Sequence, residues 1–227
     1  MRPPASNSPG CIRPEPMCRL LFARSENDFS LSRLLEPFAQ VAQTSPEYQG
    51  HGWGCSWREG NEWRHYHNIQ PIWEDDLSQF DRTSLLLVHA RSAFRDEGII
   101  IENNMPFSDG ESVFIFNGEL RGVRINSEGR IGAEKIYNYI RRFDRGDKLA
   151  ALDKGTSIIA RRSTYVRAMN IILCDGKQAC LSTRYNENPG YFQMYEKQDS
   201  DLNLVCSHPF KNESGWAPIE NNTTLSL

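Results

Sequence analysis

The sequence predicts an α+β domain in which antiparallel strands are layered against helices. Short strand-like segments fill the first half, two helix-period segments follow, and the last third alternates strand signals with turns. That order argues for antiparallel sheets covered by helices and against a parallel βαβ fold. A chain of 227 residues with 39% hydrophobic and 24% charged residues also has enough apolar material for one real core.

Taken in order, residues 18–23 (CRLLFA) form a short apolar run suited to a buried strand. Residues 30–43 repeat Leu31, Leu34, Leu35, Phe38 and Val41 at helical spacing, with Ser30 as a cap and Pro37 as a kink or break. Residues 50–57 mix glycine with aromatics, as in a strand entered through a tight turn, and residues 63–67 read as its hairpin partner. Residues 84–91 (SLLLVHAR) and 112–117 (SVFIFN) are apolar strands that end in polar groups. Helices are expected over 134–142 and near 147–154, the first with basic residues at its end. Strand signals at 168–174, 178–184, 191–195 and 202–207 read as an antiparallel meander.

Composition narrows the function. With 26 Lys+Arg against 29 Asp+Glu the net charge is -3, which gives no electrostatic case for nucleic acid or an acidic membrane. The longest aliphatic runs, Leu85 to Val88 and Ile99 to Ile101, fall far short of the ~20 apolar residues of a membrane-spanning helix. Six cysteines without a secretory signal fit a reduced, cytoplasmic chain, and no spacing among them suits a metal. His65 and His67 share one strand face, a pairing that reads most simply as solvent-exposed. Residues 1–16 hold five of the twelve prolines and resist both helix and sheet; they read as a leader the fold does not need.

Three features carry chemistry: Cys18, the His89/Arg91 pair, and Asn117-Gly118. Singly, each has a bland reading, as a small buried hydrophobe, a strand-end ion-pair partner and a hairpin turn. Together, Met17-Cys18-Arg19-Leu20-Leu21, Gly52-Trp53-Gly54, His89-Ala90-Arg91 and Phe116-Asn117-Gly118-Glu119-Leu120 resemble, in order and spacing, the class II glutamine amidotransferases. These belong to the N-terminal nucleophile (Ntn) hydrolases, and the nearest subgroup is that of the short stand-alone YafJ or EgtC type. Val205-Cys206-Ser207 and Trp216 resemble the family's closing strand and downstream tryptophan.

The resemblance implies a four-layer αββα sandwich over residues 18–227, no cofactor, and cleavage of the side-chain amide of glutamine or a γ-glutamyl compound through a thioester. Cys18 would be the nucleophile, and its own α-amine, with a pKa of ~7.7–8.0, the base. Met17 must then be absent from the mature chain, whether residues 1–17 are a propeptide or lie before the true start. Asn117 and the Gly118 amide would form the oxyanion hole, and Arg91 would bind the substrate carboxylate with its planar fork. His89 would steady the strand end and Arg91. Partners would be the small-molecule substrate and, where ammonia is handed on rather than released, a protein that accepts it.

One departure stands out. Where the family carries an aspartate that binds the substrate's ammonium, this chain has Gly132. Free glutamine is therefore expected to bind poorly unless Glu128, Asp109 or Glu134 substitutes. The alternative is a catalytically impaired binding or regulatory subunit.

Overall fold

A computed structural model describes residues 17–93 and 97–227. The leader expected over residues 1–17 lies, but for Met17, outside the described residues.

Two antiparallel sheets form the centre of the molecule. The first consecutive elements are β1 (Arg19–Ser30), α1 (Leu31–Gln43), β2 (Trp53–Glu59), β3 (Glu62–Asn68) and β4 (Arg82–Ala90). After them come β5 (Phe107–Ser108), β6 (Val113–Arg121), α2 (Gly132–Arg141), α3 (Lys148–Arg161), β7 (Tyr165–Cys174) and β8 (Ala179–Thr183). The chain closes with α4 (Pro189–Phe192), β9 (Tyr195–Asp199), β10 (Leu202–Cys206), β11 (Ala217–Pro218) and β12 (Thr223–Ser226). The seven-stranded sheet runs β11-β9-β10-β1-β4-β2-β3 and the five-stranded sheet β12-β8-β7-β6-β5.

The period-two alternation of β1 and β4 explains the layering. Leu21 and Ala23 of β1, with Leu86, Val88 and Ala90 of β4, turn outward to meet Leu31, Leu34, Leu35 and Phe38 of α1. The intervening Leu20, Phe22, Leu85 and Leu87 turn inward, into the core shared with β6, β7, α2 and α3. A strand buried on both faces reads as a continuous apolar run, as residues 85–88 do. The outcome is the four-layer αββα order.

Several local expectations need correction. Asn117-Gly118 is not a hairpin turn or a strand end: β6 continues through it, pairing Asn117 with Asn170 and Gly118 with Met169. Tertiary pairing with β7 overrides the turn preference of the Asn-Gly dipeptide. The last-third meander is split, since β7 and β8 lie in one sheet and β9 and β10 in the other. Residues 191–195 do not form one strand; Pro189–Phe192 is a helical turn and β9 starts only at Tyr195. Proline at the first helical position favours that turn. Pro37 sits inside α1 without ending it, and Ser30 occupies the cap position but its side chain makes no capping bond. α3 runs well past residue 154, capped by Asp147, whose carboxylate accepts from the Ala150 amide at 2.9 Å. His65 is exposed, but His67 is half-buried, with its Nε2 3.0 Å from the Pro106 carbonyl oxygen.

Candidate active site

Cys18 stands immediately before β1, and the start of that strand is firmly held. The Leu20 amide donates to Ser207 Oγ at 3.0 Å and the Ser207 amide donates to the Leu20 carbonyl at 3.0 Å. Arg19, almost fully buried, donates from Nη1 to the carbonyls of Tyr191 and Ser207, both at 3.2 Å, and stacks 3.9 Å over the Tyr191 ring. Burial of a guanidinium with its fork so occupied fixes the direction in which the chain enters the strand.

β4 runs antiparallel beside β1, pairing Ala90 with Arg19, so the segment leaving β4 passes Cys18. The Ser92 amide donates to Cys18 Sγ at 3.5 Å, and the thiol faces the Ser92 carbonyl at 3.7 Å. Burial raises the Cys18 thiol above its ordinary value, against the Ser92 backbone and the charges of Arg91 and Arg19, which lower it. With Met17 attached, the sulfur is thus held as a thiol and needs a base to become nucleophilic.

Arg91 follows β4. Its amide donates to the Gly52 carbonyl at 2.9 Å and its carbonyl accepts from the His51 amide at 3.1 Å. The guanidinium donates through Nη1 to Asn104 Oδ1 at 3.1 Å, while Asn104 Nδ2 donates to the Asn68 carbonyl at 2.8 Å. Gly52, at φ +107, is required here, because a Cβ would lie 2.2 Å from Asn104 Nδ2. His51 Nδ1 accepts from the Ala93 amide at 2.8 Å, which fixes the exit from the strand.

On the facing sheet, Gly118 approaches β7 so closely that a Cβ would stand 2.2 Å from the Ala168 carbonyl oxygen. The neighbouring Asn117 is fully buried, and neither Nδ2 nor Oδ1 has a hydrogen-bond partner among the described residues. Its cross-strand neighbour Asn170 is, in contrast, satisfied: Nδ2 donates to the Phe192 carbonyl and Oδ1 accepts from Thr183, each at 2.8 Å. A buried amide left unpaired is unfavourable by ~1–3 kcal/mol, and such groups concentrate where chemistry needs them.

A cleft of about 1020 Å³ brings four of the six candidates together, since Cys18, Arg91, Gly118 and Gly132 all line it. Asn117 and His89 do not line it. His89 is fully buried on the inward face of β4. Burial first, and then the Arg91 charge, drive its pKa down to about 3, with His67 adding slightly and the Phe116 backbone opposing. It is a neutral ring at neutral pH and cannot serve there as a proton-loaded acid.

That depressed value has a consequence for stability. The unfolded imidazole titrates near ~6.5, so between that pH and about 3 the unfolded chain binds a proton the folded one does not. Stability is therefore full above ~6.5 and falls on acidification, by up to ~1.4 kcal/mol per pH unit from this group. Urea unfolding at pH 7 and pH 4.5 should show a drop that His89→Leu reduces; an unchanged difference would remove His89 as its source.

Gly132 opens α2 at the cleft wall, and a Cβ there would meet nothing within 4 Å. None of the three carboxylates considered as substitutes lines the cleft. Glu134 is held by the Arg130 amide and guanidinium, the latter at 2.7 Å from Nη2, and Asp109 by Arg141 at 2.8 Å. Glu128 is absent from the lining as well, so the expectation that one of them replaces the aspartate gains no support.

Sequence reading missed the residues that hold the site in place. Met17 is buried, and its carbonyl accepts from the Tyr191 hydroxyl at 2.8 Å and from Gln49 Nε2 at 2.5 Å. Gln49 also donates to the Tyr191 hydroxyl at 3.1 Å, while its own Oε1 has no partner among the described residues. Tyr191 and Met17 are 174 positions apart, so no local pattern could reveal the contact. The described cysteines are free, and no group of His, Cys, Asp and Glu suited to a metal occurs among the described residues.

No family model matches the sequence, and no curated protein matches it. Solved structures do. A glutamine aminotransferase class-II domain protein from Silicibacter pomeroyi aligns at TM-score 0.65 and 15% identity, over 92% of this chain and 94% of that one. A predicted glutamine amidotransferase from Pseudomonas aeruginosa aligns at 0.58 and 15%, over 92% and 96%. The glutamine phosphoribosylpyrophosphate amidotransferase of B. subtilis aligns at 0.61 and 13%; the match covers 84% of this chain but 42% of that enzyme. At such identities the likeness is one of fold: the chain shares its two-sheet α+β architecture with these glutamine amidotransferase structures.

Proposed function

We propose that the protein is an amidohydrolase of the class II glutamine amidotransferase type, in which Cys18, once it is the first residue, cleaves the side-chain amide of glutamine or a γ-glutamyl compound. The observation that carries this reading is the convergence of Cys18, Arg91, Gly118 and Gly132 on one cleft from four separate segments of the chain. The YafJ or EgtC type of short stand-alone protein is the subgroup it suits.

The free α-amine of Cys18, directly or through a water, takes the thiol proton, and the thiolate attacks the amide carbon. The developing oxyanion is met by the Asn117 side chain and the Gly118 amide, both on β6. Arg91 holds the α-carboxylate, its guanidinium kept in register by Asn104. Ammonia or an amine leaves with the proton, and water hydrolyses the γ-glutamyl thioester to restore the thiol. His89, behind the strand end, supports Arg91 without touching substrate. The ammonia is either released or passed to a partner protein. The second reading, a binding subunit without catalysis, is favoured by one observation: Gly132 offers the cleft no carboxylate.

The Met17 carbonyl occupies the amine of Cys18 as a peptide bond, so removal of Met17 is obligatory. Chain beginning at Cys18 should release ammonia from a suitable amide, and chain retaining Met17 should release none under the same conditions, with both N-termini verified by mass. Equal activity of the two forms would contradict the role of the amine.

A further inference from the structure

The cleft is larger and more apolar than a free amino acid requires. At about 1020 Å³ it lies at the top of the ~300–1,000 Å³ range of sites for drug-sized ligands. With Cys18 and Gly118, its lining includes the aliphatic residues Leu120, Val123, Ile125, Ile131 and Ile136, together with Gly132 and Ala133. The first four of these aliphatic residues are only partly buried, packed on one side against the core and open on the other. Half-exposed aliphatic side chains lining one cleft are the usual surroundings of an apolar ligand group.

Charge in the cleft points the same way. Among the described residues, Arg91, Arg121, Arg130 and Lys135 line it against two carboxylates, Glu97 and Glu119. Glu119 is already engaged by Arg121 at 2.5 Å and Arg167 at 3.2 Å, and Glu97 is solvent-exposed. An ammonium carried into the aliphatic arm would meet like charge from these cations and, in Glu119, a carboxylate already engaged by two arginines. A neutral amide nitrogen meets no such repulsion.

We infer that the substrate is an Nα-acylated glutamine-type amide, with its α-carboxylate on Arg91 and an apolar acyl group in the arm lined by Leu120, Val123, Ile125, Ile131 and Ile136. The inference rests on the amidohydrolase reading above and gives that site its substrate class. Cys18 attacks the side-chain amide carbon, the C–N bond breaks, ammonia departs with the thiol proton, and water cleaves the thioester. The balance is N-acylglutamine plus water to N-acylglutamate plus ammonia, with no oxidant or further reactant.

The test compares kcat/KM for ammonia release from L-glutamine, Nα-acetyl-L-glutamine and Nα-octanoyl-L-glutamine, using protein whose N-terminus is Cys18. The octanoyl compound should be favoured over glutamine by ~100-fold or more, in line with burial of several methylenes, with the acetyl compound between them. Val123→Asp should shrink the octanoyl-to-acetyl ratio toward one, and Gly132→Asp, whose new side chain enters open space, should raise the use of free glutamine relative to both. Glutamine used as well as the octanoyl compound, or a ratio that Val123→Asp leaves unchanged, would overturn the inference while leaving the amidohydrolase reading intact. Ammonia from none of the three, with no covalent labelling of Cys18 by an iodoacetamide probe, would overturn the amidohydrolase reading itself.

Discussion

Replacing Cys18 by alanine is expected to reduce amide hydrolysis by ~10⁴-fold or more, the scale on which loss of a covalent nucleophile is felt. The fold should survive. Cys18 lies outside β1, is only half-buried, and makes two long sulfur contacts to the Ser92 backbone. The strand it precedes is held by Arg19, Leu20 and Ser207, so the change in stability should stay within ~1 kcal/mol. Cys18→Ser is the sharper variant, because it keeps the shape and substitutes a weaker nucleophile. Activity retained in Cys18→Ala, or undiminished in Cys18→Ser, would move the chemistry elsewhere in the cleft.

The second large effect is at Asn117, where activity and stability should move in opposite directions. Removing one oxyanion donor commonly lowers kcat by ~100- to 1000-fold, and Asn117→Leu should do so with little change in KM. The same substitution removes a fully buried amide whose polar atoms are both unpaired and replaces it with an apolar group of similar size. Relief of that desolvation amounts to ~1–3 kcal/mol, so the variant should be as stable as the parent or more so in urea. A residue retained only for structure would behave the other way, losing stability when replaced. The comparison residue is Asn170, whose amide is fully bonded: Asn170→Leu should destabilise by breaking its bonds to Phe192 and Thr183. Urea midpoints for the two variants, read beside kcat, separate a functional amide from a structural one.

The layered fold was legible because the alternation in β1 and β4 is itself the layering. Leu20-Leu21-Phe22-Ala23 is apolar at every position since one pair faces α1 and the other the second sheet. The helix over residues 30–43 declared itself through its periodicity even though Pro37 argued against continuity. What misled was local chemistry overridden by distant pairing. Asn117-Gly118 has the composition of a turn, yet β7 pairs with both residues and the close approach of Ala168 demands a glycine mid-strand. The final strands carry no mark of which sheet they join; pairing of β10 with β1 and of β12 with β8 assigns them.

The candidate site was legible in part. Cys18, Arg91 and Gly118, singled out in the sequence, all line one cleft. The residues around them were not, because Gln49, Asn104 and Tyr191 act through contacts that span the chain. Tyr191 in particular falls in a segment with strand-like composition, whereas the helical turn of α4 is what aims its hydroxyl at the Met17 carbonyl. Gly132, singled out for the side chain it lacks, opens on unfilled space beside an aliphatic wall, and that combination redirects attention from free glutamine to an acylated substrate.

The central claim is that Cys18, as the first residue, forms the covalent intermediate. Its most direct test is acid-quenching of the turning-over protein followed by mass spectrometry of the N-terminal peptide. The account predicts a peptide that begins at Cys18 and carries the acyl mass of the substrate less ammonia, lost on treatment with hydroxylamine and absent from Cys18→Ala. Steady ammonia release with no adduct at Cys18, or with an adduct on another residue, would contradict it.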